Sequence, residues 1–458
     1  MDMKRIDADD ELGRSADVSS ENLEQLRALF PEAFAEGKLD LQVLRQLVGD
    51  LVVDESTDGK MPDEKYGLNW KGKRRARQLA LTPSLGTLRP CPEESVNWDT
   101  TKNLMIEGDN LEVLKLLQKS YSGKVKLIYI DPPYNTGKDF VYPDNFHDNI
   151  RNYLELTGQV DGEGRKLTSN PESSGRFHTD WLNMMYPRLK LARNLLREDG
   201  AIFVSIGDDE VHNLRQLMDE IFGPENFVTA IVWQRRDTPA NDAQGFSTVH
   251  EYGLVYGRTA TSVEINTLAR TDDQIANYKN QDNDPRGPWT RSALTRPGHS
   301  DGDVYPIRNP SGRDVFPPKG TSWRVSRSTL ERLMNENRLW WGHSGDGEMP
   351  FQKRFLSEVK DGVVPTTWWD YRLAGSMRNA KSELRGLFAD DPPFDYPKPR
   401  KLLELVVRIL VGISDDGLVL DFFAGSGTCG DAVMRHNSST GGSVRYILVQ
   451  LPEATGRF

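Results

Sequence analysis

Alternating strands and helices, a strand that stops abruptly at Asp-Pro-Pro-Tyr, and a glycine turn opening a helix near the C-terminus together predict an α/β fold. The alternation breaks over residues 259–390, which are rich in Arg, Trp, Gly, Pro and Asp and read as an inserted α+β region. Residues 1–100 read as an acidic, helical N-terminal segment. The α/β domain is thus expected in two parts, 101–258 and 391–458.

At 458 residues the chain is too long for one ordinary domain. No apolar run reaches the roughly 20 residues a membrane span needs, and MDMKRIDADDELGR has no signal-peptide core, so a cytoplasmic protein is expected. Cys91 and Cys429 sit in no paired spacing, which argues against a disulfide framework and a thiolate metal site. The net charge of −10 is local: residues 1–64 hold 17 Asp/Glu against 7 Lys/Arg, and the remainder balances. From Asp284 to Arg338 there are 10 Lys/Arg against 6 Asp/Glu, with Trp289, Tyr305, Phe316 and Trp323 interleaved, the local positive charge that phosphate binding needs. KGKRRAR at Lys71–Arg77 reads first as a solvated surface run.

In chain order, Leu23, Leu26, Leu29 and Phe30 are spaced as on a helix, and residues 39–51 repeat the pattern, which suggests a helical hairpin. Leu104–Ile106 is a short strand, Asp109 a helix cap, and 111–119 an amphipathic helix. Val125–Ile130 is a buried strand that Pro132 and Pro133 terminate, fixing Asp131 at the ligand edge of a parallel sheet. An acceptor carboxylate, the Pro132 carbonyl and the flat ring of Tyr134 suit an exocyclic amino group on a planar base; a plain strand-end turn explains the same residues equally well. A polar stretch to about residue 174 could close over a substrate. Helices over 180–197 and 209–222, with Met184 and Met185 as core, alternate with strands at 201–207, 227–233 and 250–256. The second Asp-Pro-Pro, Asp391-Pro392-Pro393-Phe394, follows no buried strand and is given no chemistry. A helix over 401–411, a strand over 418–423, a glycine turn through Gly425 and Gly427, and a last strand over 446–451 complete the pattern. Gly425–Gly430 also fits G-x-G-x-x-G with an acid beyond, so this turn alone fits an NAD enzyme as well as any nucleoside-cofactor enzyme.

In combination these signals resemble the β-class amino-methylating DNA methyltransferases. DPPYNTGKDFVYPDNF, HEYGLVYGR, FDYPKPRKLLELVVRIL, LVLDFFAGSGT and RYILVQLPE, in that order, are similar to the modification subunit of type III restriction-modification systems. The resemblance implies a circularly permuted, Rossmann-like sheet of seven strands, near residues 104, 127, 203, 230, 253, 420 and 448, with 259–390 as the target-recognition insertion. It implies methyl transfer from S-adenosylmethionine to adenine N6 in double-stranded DNA, the adenine flipped out of the duplex. Asp131, Pro132 and Tyr134 would form the base pocket, with Pro133 fixing its shape and Phe140 or Tyr142 covering the far face. Asp421, Phe423, Ala424, Gly425, Ser426, Gly427 and Thr428 would hold the cofactor, with Lys398 beside its methionine part. Asp109 would address its adenine, and Glu453 would be the acid after the second cofactor strand, since Gln450 occupies the strand end. No metal is implied. A homodimer is, and so is a helicase-nuclease restriction partner, which the lack of any G-x-x-x-x-G-K-[ST] in the chain also calls for. Family members usually continue past the last strand, so that strand is expected to be exposed on one face or covered by another chain or the N-terminal helices. Three other readings are a cytosine-N4 enzyme, a protein-glutamine methylase, and a non-catalytic DNA-reading subunit.

Overall fold

The computed structural model describes residues 17–29, 34–35, 38–39, 68–136, 177–239, 245–298, 300–388, 394, 396–412 and 417–452. The chain divides into a main unit, Met1–Asn266 with Thr366–Phe458, and a second unit, Thr267–Pro365. Among the described residues the main unit is built on an eight-stranded sheet. Its strands are β1 (Leu104–Glu107), β2 (Val125–Ile130), β3 (Leu196–Ile206), β4 (Phe227–Gln234), β5 (His250–Gly257), β6 (Trp368–Trp369), β7 (Leu418–Asp421) and β8 (Arg445–Gln450). Their spatial order is β6-β4-β5-β3-β2-β7-β8-β1. All neighbouring pairs are parallel except the two made by β5, which runs against both β3 and β4.

β2 is buried along its whole length, so it reads as a continuous apolar run instead of alternating. The main unit's longer helices are α1 (Val18–Leu29), α2 (Lys73–Leu81), α3 (Asn110–Tyr121), α4 (Phe177–Leu195), α5 (Val211–Phe222), α6 (Met377–Phe388), α7 (Arg400–Leu410) and α8 (Thr428–Thr440). α4 buries Trp181, Met184, Met185 and Leu189, so both methionines are core residues as expected. Gly253 of β5 is required by space: a Cβ there would lie 2.2 Å from the Phe203 ring. That ring stacks on Tyr129 and Trp369, at centroid distances of 5.8 and 5.9 Å.

The expected seven strands are present, and an eighth joins them. β6 lies in the stretch assigned to the insertion and pairs with Val232–Trp233 at the sheet edge. With α6 it belongs to the main unit, so the second unit is shorter at both ends than the 259–390 insertion. A two-residue strand has no periodicity to read, and α6 buries only Ala380 and Leu384. At the N-terminus α1 matches the expected first helix. Lys38–Leu39 pairs with Phe34–Ala35 as a short antiparallel ladder, and the rest of the second expected helix lies outside the described residues. The polar stretch from 141 to 174 lies outside them too, as do Phe140 and Tyr142.

KGKRRAR is helical from Lys73 on, and one face of it is packed. Ala76 is buried, and Lys73 reaches Glu220 at 2.7 Å and the Leu68 carbonyl at 2.7 Å.

The second unit holds a three-stranded antiparallel sheet, Leu339–Trp340, Phe351–Phe355 and Trp289–Ala293, and two short ladders. Of the four aromatics read as interleaved with its basic residues, Trp289, Tyr305 and Trp323 are core, and only Phe316 is exposed. Their bulk supplies the cores that the short strands alone could not. Lys353 is buried between Asp282 and Asp284, and Arg286 clamps Asp284 through Nε and Nη2 at 2.9 and 2.8 Å, holding that carboxylate well below its usual range. At the neck of this unit Leu268 and Val363 exchange both backbone hydrogen bonds, at 2.9 and 2.7 Å.

Candidate active site

β2 and β7 are neighbours with Leu420 beside Ile128, so the turns leaving their carboxyl ends emerge side by side. They open on one cleft of 540 Å³. Asp131, Pro132, Pro133 and Tyr134 line it from the β2 side, and Asp421, Phe423, Ala424, Gly425, Ser426 and Thr428 from the β7 side. Lys398, which precedes α7, lines it as well.

The β2 turn is braced from behind. The Pro133 carbonyl accepts the Trp181 indole N–H at 2.7 Å, and no donor meets the Pro132 carbonyl among the described residues. Asn135 is left-handed (φ 59°), and its amide donates to the buried Glu210 carboxylate at 2.5 Å and to the Phe177 carbonyl at 3.1 Å. The Tyr134 ring packs on Gly207, where a Cβ would stand 3.0 Å from it.

Asp131 Oδ1 faces the Lys398 ammonium at 3.0 Å. Burial raises the Asp131 pKa, outweighing the Lys398 charge that lowers it. Lys398 also donates to the Tyr134 hydroxyl at 2.8 Å and to Glu251 Oε2 at 3.0 Å. Burial alone would lower the Lys398 pKa; the Asp131 and Glu251 charges raise it on balance.

Hydrogen bonds from both flanks hold the β7 turn, among them Ala424 N–H to the Val449 carbonyl at 3.1 Å. The Phe423 N–H donates to Asp421 Oδ1 at 3.0 Å, the Gly425 N–H to Gln450 Oε1 at 2.8 Å, and the Phe422 carbonyl accepts from the Asn110 amide at 2.7 Å. Gly425 has φ 52°, and a Cβ on it would stand 3.0 Å from the Phe394 ring, so only glycine leaves this wall flat. Gly427, also left-handed (φ 75°), is the N-cap of α8 and makes no side-chain cap, a helix start suited to an anionic group. Burial pushes the Asp421 carboxyl up to about 8.

Because that value is raised, Asp421 favours the folded state at low pH and costs stability as pH climbs toward about 8. The isosteric Asp421→Asn variant should therefore melt with the wild type near pH 4 and increasingly above it up to about pH 8, the difference then levelling off. Thermal melts across that range check this; a constant difference would mean that Asp421 is ionised throughout.

The expected residues are not all brought together. Asp109 is absent from the cleft lining: its Oδ1 caps α3 by accepting the Glu112 N–H at 3.1 Å, and its Oδ2 lies 3.5 Å from Arg188. Gly427 sits in the turn without lining the cleft. Glu453 lies outside the described residues, and it is Gln450 at the strand end that reaches the cleft. Phe394, from the second Asp-Pro-Pro segment, lines the cleft, although that segment was given no chemistry; the segment's first three residues are outside the described set. Arg235 and Glu251 were missed as well. A lone acid in the otherwise apolar HEYGLVY strand was the signal for Glu251.

A parallel-rich sheet with an Asp-Pro-Pro-Tyr turn and a glycine turn on one cleft defines a DNA methylase, and the family model described as "DNA methylase" matches residues 125–448. The chain belongs to that family and, within it, to the Mod subunits of type III restriction-modification enzymes. It is 36% identical over 431 residues to the StyLTI Mod subunit of Salmonella typhimurium strain LT2, covering 92% of this chain and 63% of that one. It is 31% identical to the EcoP15I Mod subunit of Escherichia coli, with 96% and 72% covered, and 34% identical to the EcoPI Mod subunit of Escherichia phage P1, with 96% and 71% covered. The chain thus spans between 63% and 72% of the length of these relatives. No helix among the described residues is long and apolar enough to cross a membrane.

Proposed function

We propose that the protein transfers a methyl group from S-adenosylmethionine to adenine N6 in DNA, as the modification and DNA-reading subunit of a type III system. The observation that carries this is the shared cleft: an acceptor carboxylate and a stacking ring on one wall, a flat glycine turn on the other. The fold reading that goes with it is a circularly permuted sheet, with the base half before the cofactor half and the second unit inserted between them for target recognition.

The residues of the β7 turn fit the cofactor. Gly425 keeps the wall free of a Cβ, the uncapped start of α8 suits a carboxylate, and Phe394 and Phe423 offer apolar surface. When bound, S-adenosylmethionine supplies an electrophilic methyl group. Asp131 and the Pro132 carbonyl accept the two N–H bonds of the target amino group, which frees its lone pair from the ring. Tyr134 stacks on the base, which must leave the duplex to reach it. Asp131 then stabilises the nitrogen as it becomes positive and offers a route for its proton. Positioning and fixed charges supply the catalysis. A homodimer, a restriction partner and a cytoplasmic setting belong to the same reading.

The test is transfer from labelled S-adenosylmethionine to unmethylated genomic DNA, followed by nucleoside analysis. N6-methyladenine is the expected product. N4-methylcytosine would correct the base, and cofactor binding without transfer would leave a DNA-reading subunit.

A further inference from the structure

Glu251 is the second residue of β5. Because β5 runs against β3 and β4, its first residues lie at the edge where the parallel strands end, and an acid there reaches the cleft from a third direction. The side chain is buried and fully engaged. Oε2 accepts from the Tyr134 hydroxyl at 2.9 Å and from Lys398 at 3.0 Å, and Oε1 faces Arg235 Nη1 at 3.1 Å. Lys398 has three N–H donors and three oxygens around it: Asp131 Oδ1, Glu251 Oε2 and the Tyr134 hydroxyl.

We propose that Glu251 is a positioning residue of the base pocket, which holds Lys398 away from full engagement with Asp131 and fixes the Tyr134 ring for stacking. This rests on reading the cleft as a methyl-transfer site. Without Glu251, the ammonium would turn wholly to Asp131 and occupy the oxygen that the target amino group needs. The charges agree with that role. Asp131 and Glu251 balance Lys398 and Arg235, so loss of Glu251 leaves an excess positive charge where the reacting nitrogen becomes positive. Burial raises the Glu251 pKa, but the Lys398 and Arg235 charges bring it below the usual range, so it is ionised at neutral pH.

The titratable groups facing this pair are Asp131, Tyr134 and Tyr129 from β2 and its turn, Arg235 after β4, Lys398 before α7, and Asp421 from β7. His250, next to Glu251 on β5, faces Asp208 instead at 3.9 Å. The Glu251 charge raises the Asp131 pKa, so removing it moves the acid limb of the pH–rate profile to lower pH.

In Glu251→Gln, single-turnover methyl transfer is expected to fall about 10²-fold, with cofactor dissociation changed less than about three-fold and the acid limb displaced downward. Should the single variant fail to fold, Arg235→Gln with Glu251→Gln removes both charges of that pair and should show the same displaced limb. A slower variant with an unmoved limb, a cofactor affinity that falls as far as the rate, or an unchanged rate would each overturn the inference. A wild-type protein that methylates no DNA would overturn the underlying reading instead, so the two failures are distinct.

Discussion

Asp131→Ala should lower methyl transfer by at least about 10³-fold and leave cofactor affinity nearly unchanged. Among the described residues of the β2 turn Asp131 is the only carboxylate, and the Pro132 carbonyl cannot replace its charge. The wall proposed for the cofactor is the other one, where Asp421, Phe423 and Gly425 keep their own backbone and Gln450 hydrogen bonds. Lys398 retains Glu251 and Tyr134 as partners, so the variant is not left with an unpaired buried cation. Titration of cofactor binding beside single-turnover transfer separates the effects. Turnover within ten-fold of wild type would remove Asp131 from the chemistry.

Arg188→Leu should cost about 1–3 kcal/mol of stability, the range for leaving a buried hydrogen-bonding group without its partner. Arg188 is wholly buried on α4. Its Nε donates to Asn110 Oδ1 at 2.6 Å, its Nη1 to the Met184 carbonyl at 2.7 Å, and its Nη2 lies 3.5 Å from Asp109 Oδ2. Leucine would strand the Asn110 oxygen in the interior, while the Met184 carbonyl keeps the helical N–H of residue 188 as partner. Asn110 in turn holds the Phe422 carbonyl, so the loss should also loosen the β7 turn and weaken cofactor binding. Urea titration measures the first effect and cofactor titration the second. A loss below about 1 kcal/mol would show that water takes over the stranded oxygen.

What was legible in the sequence shares a physical cause. β2, β7 and β8 are covered on both faces, so each appears as a compact apolar run, and the prolines and glycines that end β2 and β7 mark their turns locally. Asp131, Tyr134 and Gly425 could be named because turn chemistry is written in adjacent residues. Glu251 and Arg235 could not be assigned a role, since strand order alone brings Glu251 beside Lys398, 147 positions away, and Arg235 beside Glu251. Phe394 was passed over for the same reason: its ring packs on Gly425, 31 positions further along the chain. The aromatics of the second unit were misread because composition cannot say which way a ring faces, and short strands must take their core from the largest side chains at hand. Asp109 reads as a helix cap and is one, accepting the Glu112 N–H.

The paired backbone of Leu268 and Val363 closes the second unit at its own base. Entry and exit segments tied by such a bridge make a cassette: what lies between them can be lengthened, shortened or exchanged while the tied ends stay the same distance apart. The contents of this unit could therefore be replaced wholesale, by descent or by an engineer's graft, without renegotiating a single pairing of the eight-stranded sheet.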